Sequence, residues 1–182
     1  MIYSDNTIKE MIEEEILIIE PFDEKLIQPS SIDLRLGSEY MKVDGNCSII
    51  EMDKEVPYVK QEREEMLIMP QQYMLATTKE RIAVPNGVSA FVEGRSSIGR
   101  MGLFVQNAGW IDTGFDGQIT LELFNANQNT AILLEEDRRI CQIVLVEMDK
   151  PAKEPYNGKY QGQKGVWGSL ISQDKEVESE KN

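Results

Sequence analysis

From Glu93 to Asn125 the chain reads EGRSSIGRMGLFVQNAGWIDTGFDGQITLELFN, and the pattern within this stretch points to the fold class. Apolar and polar residues alternate through Ile119-Thr120-Leu121-Glu122-Leu123, the period of a strand, and glycines punctuate the runs before it. Alternation puts Glu122 on the face shared with Thr120 and Phe124, opposite Ile119, Leu121 and Leu123. Asp112 and Glu122 are therefore expected at the two ends of one β-hairpin, a geometry that suggests a reaction site. Upstream, Arg95-Ser96-Ser97-Ile98-Gly99-Arg100 offers two guanidinium forks and two hydroxyls in a Gly-flanked turn, groups suited to phosphate oxygens. The combination reads as a nucleotide site.

Outward from this stretch the strand pattern continues. Short strands are predicted at 40–43, 48–52, 66–69, 73–77, 81–84, 89–92, 102–105, 118–123, 131–134 and 140–147. Turn signals divide them, among them Asp44-Gly45-Asn46, Pro70, Pro85-Asn86-Gly87 and Asp116-Gly117. Before them, Ile8, Met11 and Ile12 at helical spacing behind a cap at Ser4 or Asp5 predict a short amphipathic helix, and Pro21 ends the Ile16 to Ile19 run. From Ser31, Ile32, Leu34 and Leu36 share one face and Asp33 and Arg35 the other. Many short strands with little helix argue for a sandwich, jelly roll or distorted barrel. The charged run 55–65, EVPYVKQEREE, reads as a surface excursion, and 169–182, SLISQDKEVESEKN, as a charged, flexible tail behind a domain spanning 1–168.

Bulk properties exclude several functions. The 182 residues suit one domain, and 19 Lys and Arg against 32 Asp and Glu give a net charge of -13, unfavourable for nucleic acid or an acidic membrane surface. A triphosphate can still bind in a local basic pocket. Cys47 and Cys141 lie far apart, and Cys141 reads as a buried free thiol in an apolar run, which fits a reducing, cytoplasmic setting. The acidic N-terminus has no signal-peptide pattern, and no apolar run reaches membrane-spanning length. The chain has no histidine, which removes the commonest general base and zinc ligand and the H-x-E…C-x-x-C zinc deaminase pattern. Chemistry here must run on carboxylates.

Four ordered motifs carry a resemblance: the stretch above, Gln28-Pro29-Ser30-Ser31-Ile32-Asp33-Leu34-Arg35-Leu36-Gly37, Arg138-Arg139-Ile140-Cys141-Gln142-Ile143, and Pro155-Tyr156-Asn157-Gly158-Lys159-Tyr160-Gln161-Gly162-Gln163. Together the chain resembles the dCTP deaminase and dUTPase superfamily, which acts on pyrimidine deoxynucleoside triphosphates. The resemblance implies a mostly β, distorted jelly-roll or β-barrel fold of the dUTPase-like type with one or two short helices. It also implies a homotrimer with active sites at subunit interfaces. Gly109-Trp110-Ile111-Asp112 through Leu123-Phe124-Asn125 follows the dUTPase register, but Glu122 stands where those enzymes carry a small aliphatic residue, as it does in the deaminases. Asn107-Ala108-Gly109-Trp110-Ile111-Asp112 is similar to bifunctional members that continue to dUMP.

By this resemblance Glu122 is the base that activates water at C4 of cytosine, Arg100 and Ser96 hold the glutamate and water, and the Ala108 backbone contacts the base. Asp112 meets the deoxyribose 3′-hydroxyl and orients a water at the α-phosphorus. Arg95, Ser96, Ser97 and Gln142, with Tyr156, Lys159 and Gln163, contact triphosphate and sugar. The segment 163–167 closes over the nucleotide, with Trp167 either stacking on the base or packing on the surface. Mg²⁺ is expected with the triphosphate, held by phosphate oxygens and water rather than a protein cage, and no zinc is expected. The expected ligands are dCTP, dUTP and, as a feedback inhibitor, dTTP. Read by residue type alone, Glu122 also fits a solvent-facing strand residue, Asp112 an Asx turn and Arg100 a surface salt bridge. A deaminase releasing dUTP, a dUTPase alone and a nucleotide-sensing regulator remain as alternatives.

Overall fold

The computed structural model describes residues 1–105 and 109–174. In chain order come α1 (Asp5–Glu13), β1 (Ile18–Glu20), β2 (Ile27–Gln28), β3 (Ser31–Val43), β4 (Tyr58–Glu62), β5 (Glu65–Ile68), β6 (Tyr73–Ala83), β7 (Val88–Gly94), α2 (Ser96–Gly99), β8 (Leu103–Val105), β9 (Trp110–Ile111), β10 (Asp116–Asn125), β11 (Ile132–Glu135) and β12 (Arg139–Glu147). Single 3-10 turns lie at Glu24–Leu26 and Ile171–Gln173. The fold is mostly β, as the turn-rich sequence predicts.

The main sheet runs β8-β10-β6-β3-β12-β7-β9, with β1 beside β6 and both β2 and β4 beside β3; β5 and β11 form a separate pair. It curls into a half-barrel because β3 is shared between its halves. Ile32 to Leu34 pair with β12, whereas Tyr40 and Met41 pair with β6. The register slips between Leu36 and Tyr40, at Gly37, where a Cβ would stand 2.7 Å from Thr77 Cγ2. Only glycine lets the two strands approach so closely there. Inside the curl, Ile32, Leu34 and Leu36 meet Met74 and Ile82 of β6, Leu121 and Leu123 of β10, and Ile143 and Leu145 of β12. Helix α1 adds Ile8, fully buried, and each such side chain stabilises by roughly 1.5–3 kcal/mol. Ser4 takes the N-cap position but makes no side-chain capping bond. Cys141 is a buried free thiol, and burial pushes its pKa up.

Several sequence expectations change. Asp112 and Glu122 do not close a hairpin: β9 pairs with β7, whereas β10 pairs with β6 and β8. Asp116-Gly117 opens β10 rather than turning, because both Asp116 oxygens are clamped by Arg81 at 2.7 and 2.8 Å. The strands expected at 73–77 and 81–84 are one, since Thr78 and Glu80, polar enough to suggest a break, are fully buried. Glu80 accepts from Arg35 Nε at 2.6 Å and from the Arg35 backbone N–H at 2.8 Å. Residues 48–52 form no strand, and Ile49, Ile50 and Met52 stay exposed. Part of the charged run 55–65 is β4, an edge strand whose alignment with Glu39–Val43 leaves its charged side chains in solvent.

Candidate active site

A cleft of about 840 Å³ opens between β6, β9, β10 and the chain after Tyr156. Glu122 reaches its wall because strand alternation sends Leu121 and Leu123 to the core and Glu122, with Thr120, to the other face. It is half-buried, and no described residue forms a hydrogen bond or ion pair with its carboxylate. Desolvation by burial raises its pKa, because a charge taken from water without a partner favours its neutral form. Tyr73, also in the wall, is pushed up to about 12, first by burial and then by the Glu122 charge and Tyr58.

Asp112 stands on the same cleft, exposed, just past β9. Its Oδ1 accepts the indole N–H of Trp110 at 2.8 Å. The turn behind it is locked by Thr113, whose hydroxyl donates to the Pro85 carbonyl at 3.0 Å and accepts from the Gly87 N–H at 2.9 Å. Gly114 takes φ +87, and a Cβ there would lie 2.6 Å from Pro155 Cβ, so the turn and the C-terminal segment touch through glycine.

The C-terminal segment forms a strap bound to β10. Gly162 N–H donates to the Asp116 carbonyl at 2.7 Å, Gln118 N–H to the Gln163 carbonyl at 2.9 Å, and Gly165 N–H to Gln118 Oε1 at 2.6 Å. Thr120 Oγ1 accepts from Gln163 Nε2 at 2.6 Å and from Trp167 N–H at 3.1 Å, while Glu39 accepts from Val166 N–H at 2.7 Å. Gln163 is thus buried in strap contacts, with its amide also reaching the Gly165 carbonyl at 3.1 Å. Tyr156, Lys159, Tyr160 and Trp167 line the cleft, and Lys159 is ion-paired with Asp174. Ser169 N–H donates to Tyr58 Oη at 3.2 Å, so contacts continue past residue 168; residues 175–182 lie outside the described residues.

The other predicted residues gather elsewhere. Asp33, 2% exposed, receives Arg95 Nε at 3.3 Å on one oxygen and Arg139 Nη1 at 3.2 Å on the other. Gln142, opposite Asp33 in the β3–β12 register, accepts from Ser31 Oγ at 3.2 Å. Arg95 and Ser96 border a separate hollow of about 380 Å³ with Gly94 and Gly99, and Ser96, Ser97 and Arg100 are exposed on and beside α2. One chain therefore brings Glu122, Asp112, Tyr156, Lys159 and Gln163 to one cleft and does not bring Arg95, Ser96, Ser97, Arg100 and Gln142 there. Ala108 lies outside the described residues. Tyr73, Thr120 and Trp110 also line the cleft, and the sequence pattern does not single them out. Thr120 was signalled only by sharing the Glu122 face; Tyr73 and Trp110 depend on strand pairing, which leaves no local mark.

Among the described residues, no three His, Cys, Asp or Glu side chains are grouped to hold a metal ion, and no helix is long and apolar enough to cross a membrane. A solved structure of 2′-deoxycytidine 5′-triphosphate deaminase from Agrobacterium tumefaciens has a similar fold, with a TM-score of 0.62 at 22% identity over 79% of this chain and 47% of that one. This chain thus spans about half of that chain's length. A protein of Aquifex aeolicus (strain VF5) named dCTP deaminase, dUMP-forming, is 51% identical, covering 99% of this chain and 100% of its own. Its counterpart of the same name in Persephonella marina (strain DSM 14350 / EX-H1) is 46% identical over 97% of this chain and 100% of its own. With residues 2–148 matching the dCTP deaminase-like family, the chain belongs to that family.

Proposed function

We propose that this protein hydrolyses dCTP to dUTP and ammonia, and then dUTP to dUMP and pyrophosphate, supplying the precursor of dTMP. The observation that carries the reading is the half-buried, unpartnered Glu122 sharing one cleft with Asp112. The full-length relatives named as dUMP-forming support it. Glu122 takes a proton from the water that attacks C4 and passes it to the ring nitrogen, then carries the proton of the new C4 hydroxyl to the amino group, so that the C4–N bond breaks and ammonia leaves. Its raised pKa brings it toward the working pH, where a general base is most effective. In the second step a water oxygen bonds to the α-phosphorus, the bond to the bridging oxygen breaks, pyrophosphate leaves with the electron pair, and Asp112 takes the water's proton.

The separation of the two clusters supports a division of the remaining roles between neighbouring copies. Arg95, Ser96, Ser97, Arg100 and Gln142 serve the cleft of a neighbouring copy in a homotrimer, with Ser96 and Arg100 placing the attacking water and Arg95 and Ser97 the phosphates. The Ala108 backbone contacts the base. Tyr156, Lys159 and Gln163 belong to the strap that closes on the nucleotide, Gln163 by holding the strap to Thr120. The catalytic unit spans 1–168, with 169–182 as a charged tail whose first residues dock beside the cleft. Mg²⁺ enters with the triphosphate, carried by phosphate oxygens and water. Deamination without zinc rests on the donor set, since the chain has no histidine, Cys47 lies in the loop after β3 and Cys141 is buried in β12. The enzyme is cytoplasmic, and dTTP acts as a feedback inhibitor at the same cleft. Incubation with dCTP and Mg²⁺, following ammonia, dUTP, dUMP and pyrophosphate separately, tests the reading: dUMP and pyrophosphate should appear with little free dUTP. Stoichiometric dUTP, with added dUTP left intact, would reduce the protein to a deaminase.

A further inference from the structure

The second carboxylate of the cleft has a partner that the chemistry above does not use. Trp110 is 60% exposed, so core burial does not place its indole. Phe91 does: the two residues are directly opposite in the β7–β9 register, and their rings meet edge to face at 4.8 Å and 89°. Gly109 brings the strands close enough for this contact, since Val92 N–H donates to its carbonyl at 2.7 Å and a Cβ at 109 would stand 2.6 Å from the Val92 oxygen. The braced indole then donates to Asp112 Oδ1 at 2.8 Å, across the i, i+2 spacing that puts both side chains on one face of extended backbone. Asp112 is itself exposed, and an exposed aspartate without such a donor turns among its rotamers.

We propose that Trp110 is a positioning residue for cleavage at the α-phosphorus. Its N–H holds Oδ1, fixes the carboxylate plane and presents Oδ2 to the attacking water. This rests on the dUMP-forming reading given above. Alignment of a reacting water is sensitive to displacements of about 1 Å, so losing the donor acts on turnover more than on substrate binding.

Trp110→Phe keeps a ring against Phe91 and removes only the N–H. The expected result is a fall of roughly 5- to 20-fold in kcat for added dUTP, with KM for dUTP and deamination of dCTP held within about twofold, so that free dUTP accumulates from dCTP. In an Asp112→Asn background the same substitution should add nothing, because the group it positions is already lost. Phe91→Leu, which loosens the brace and keeps the N–H, should act in the same direction by less, and it carries the test if Trp110→Phe melts early. An unchanged dUMP-to-dUTP ratio in Trp110→Phe, or a parallel loss of both activities, would overturn the assignment while leaving the function intact. A wild-type protein that forms no dUMP would remove both.

Discussion

Asp33 on β3 and Glu122 on β10 are carboxylates of the same curled sheet in opposite surroundings. Asp33 is almost fully enclosed, and each of its oxygens meets a guanidinium, from Arg95 and from Arg139. Glu122 is only half enclosed and meets no described donor, so burial alone acts on it and raises its pKa. A buried charge must be paired or shift toward neutrality, and the molecule uses both solutions. The paired carboxylate ties together the motifs at 28–37, 95–100 and 138–143. The unpaired one is left able to accept a proton, which is what the base proposed for deamination needs.

The contrast breaks most severely at Glu122 itself. Glu122→Gln should lower deamination by about 10²- to 10⁴-fold with dCTP still bound, read by ammonia release and by nucleotide titration. Wild-type-like deamination would place the base elsewhere. Next, Glu122→Gln and Arg100→Ala proteins, each inactive alone, should regain up to roughly a quarter of wild-type deamination when unfolded and refolded together, since a site built from two chains finds both intact groups in some mixed assemblies. No recovery would mean that the Arg95–Arg100 cluster does not serve a neighbour's cleft.

On the paired side, Asp33→Asn should cost about 1–3 kcal/mol in denaturant unfolding, less than for a wholly buried pair because both arginines reach solvent. A neutral result would show that the two guanidiniums do not depend on Asp33. The smallest effect concerns pH. A glutamate whose folded pKa is raised is penalised when ionised, so its contribution to stability is fully present below the unfolded value of about 4.3 and lost as pH rises through the folded value. Glu122→Gln should therefore melt higher than wild type near about pH 7, and the gain should disappear below about pH 4. The acid limb of wild-type deamination should lie above the ordinary carboxylate range for the same reason. A melting difference independent of pH would contradict the raised pKa.

Local pattern made much of this molecule legible. The alternation through 121–123 placed Leu121 and Leu123 in the core and Glu122 on the other face, as found, whereas Ile119, expected in the core, is only half-buried and lines the cleft beside the register shift between Gln118 and Thr120. The same rule separated Ile32, Leu34 and Leu36 from Asp33 and Arg35, but it did not show that Asp33 would be buried, because that depends on guanidiniums arriving from residues 95 and 139. Polar residues misled wherever a distant partner satisfied them. Glu80 suggested a gap in β6 that Arg35 closes, and Asp116 suggested a turn that Arg81 converts into a strand end. The expected hairpin failed for a related reason: ten residues and several glycines are compatible with a hairpin, yet β9 finds its partner in β7.

By itself the sequence determined the mostly β class, the positions of most strands, the absence of histidine from any site the chain could build, and the family through four ordered motifs. These are properties of period, composition and residue order, which act over a few positions or survive any folding. Tertiary structure alone decided which carboxylate is paired and which is left open, that Glu122 and Asp112 reach one cleft from strands with different partners, that the strap after Tyr156 is seated through Thr120 and Glu39, and that the Arg95 cluster lies apart. Those outcomes depend on which strands become neighbours. Pairing is settled by burying the whole apolar face at once, so no single segment carries the answer.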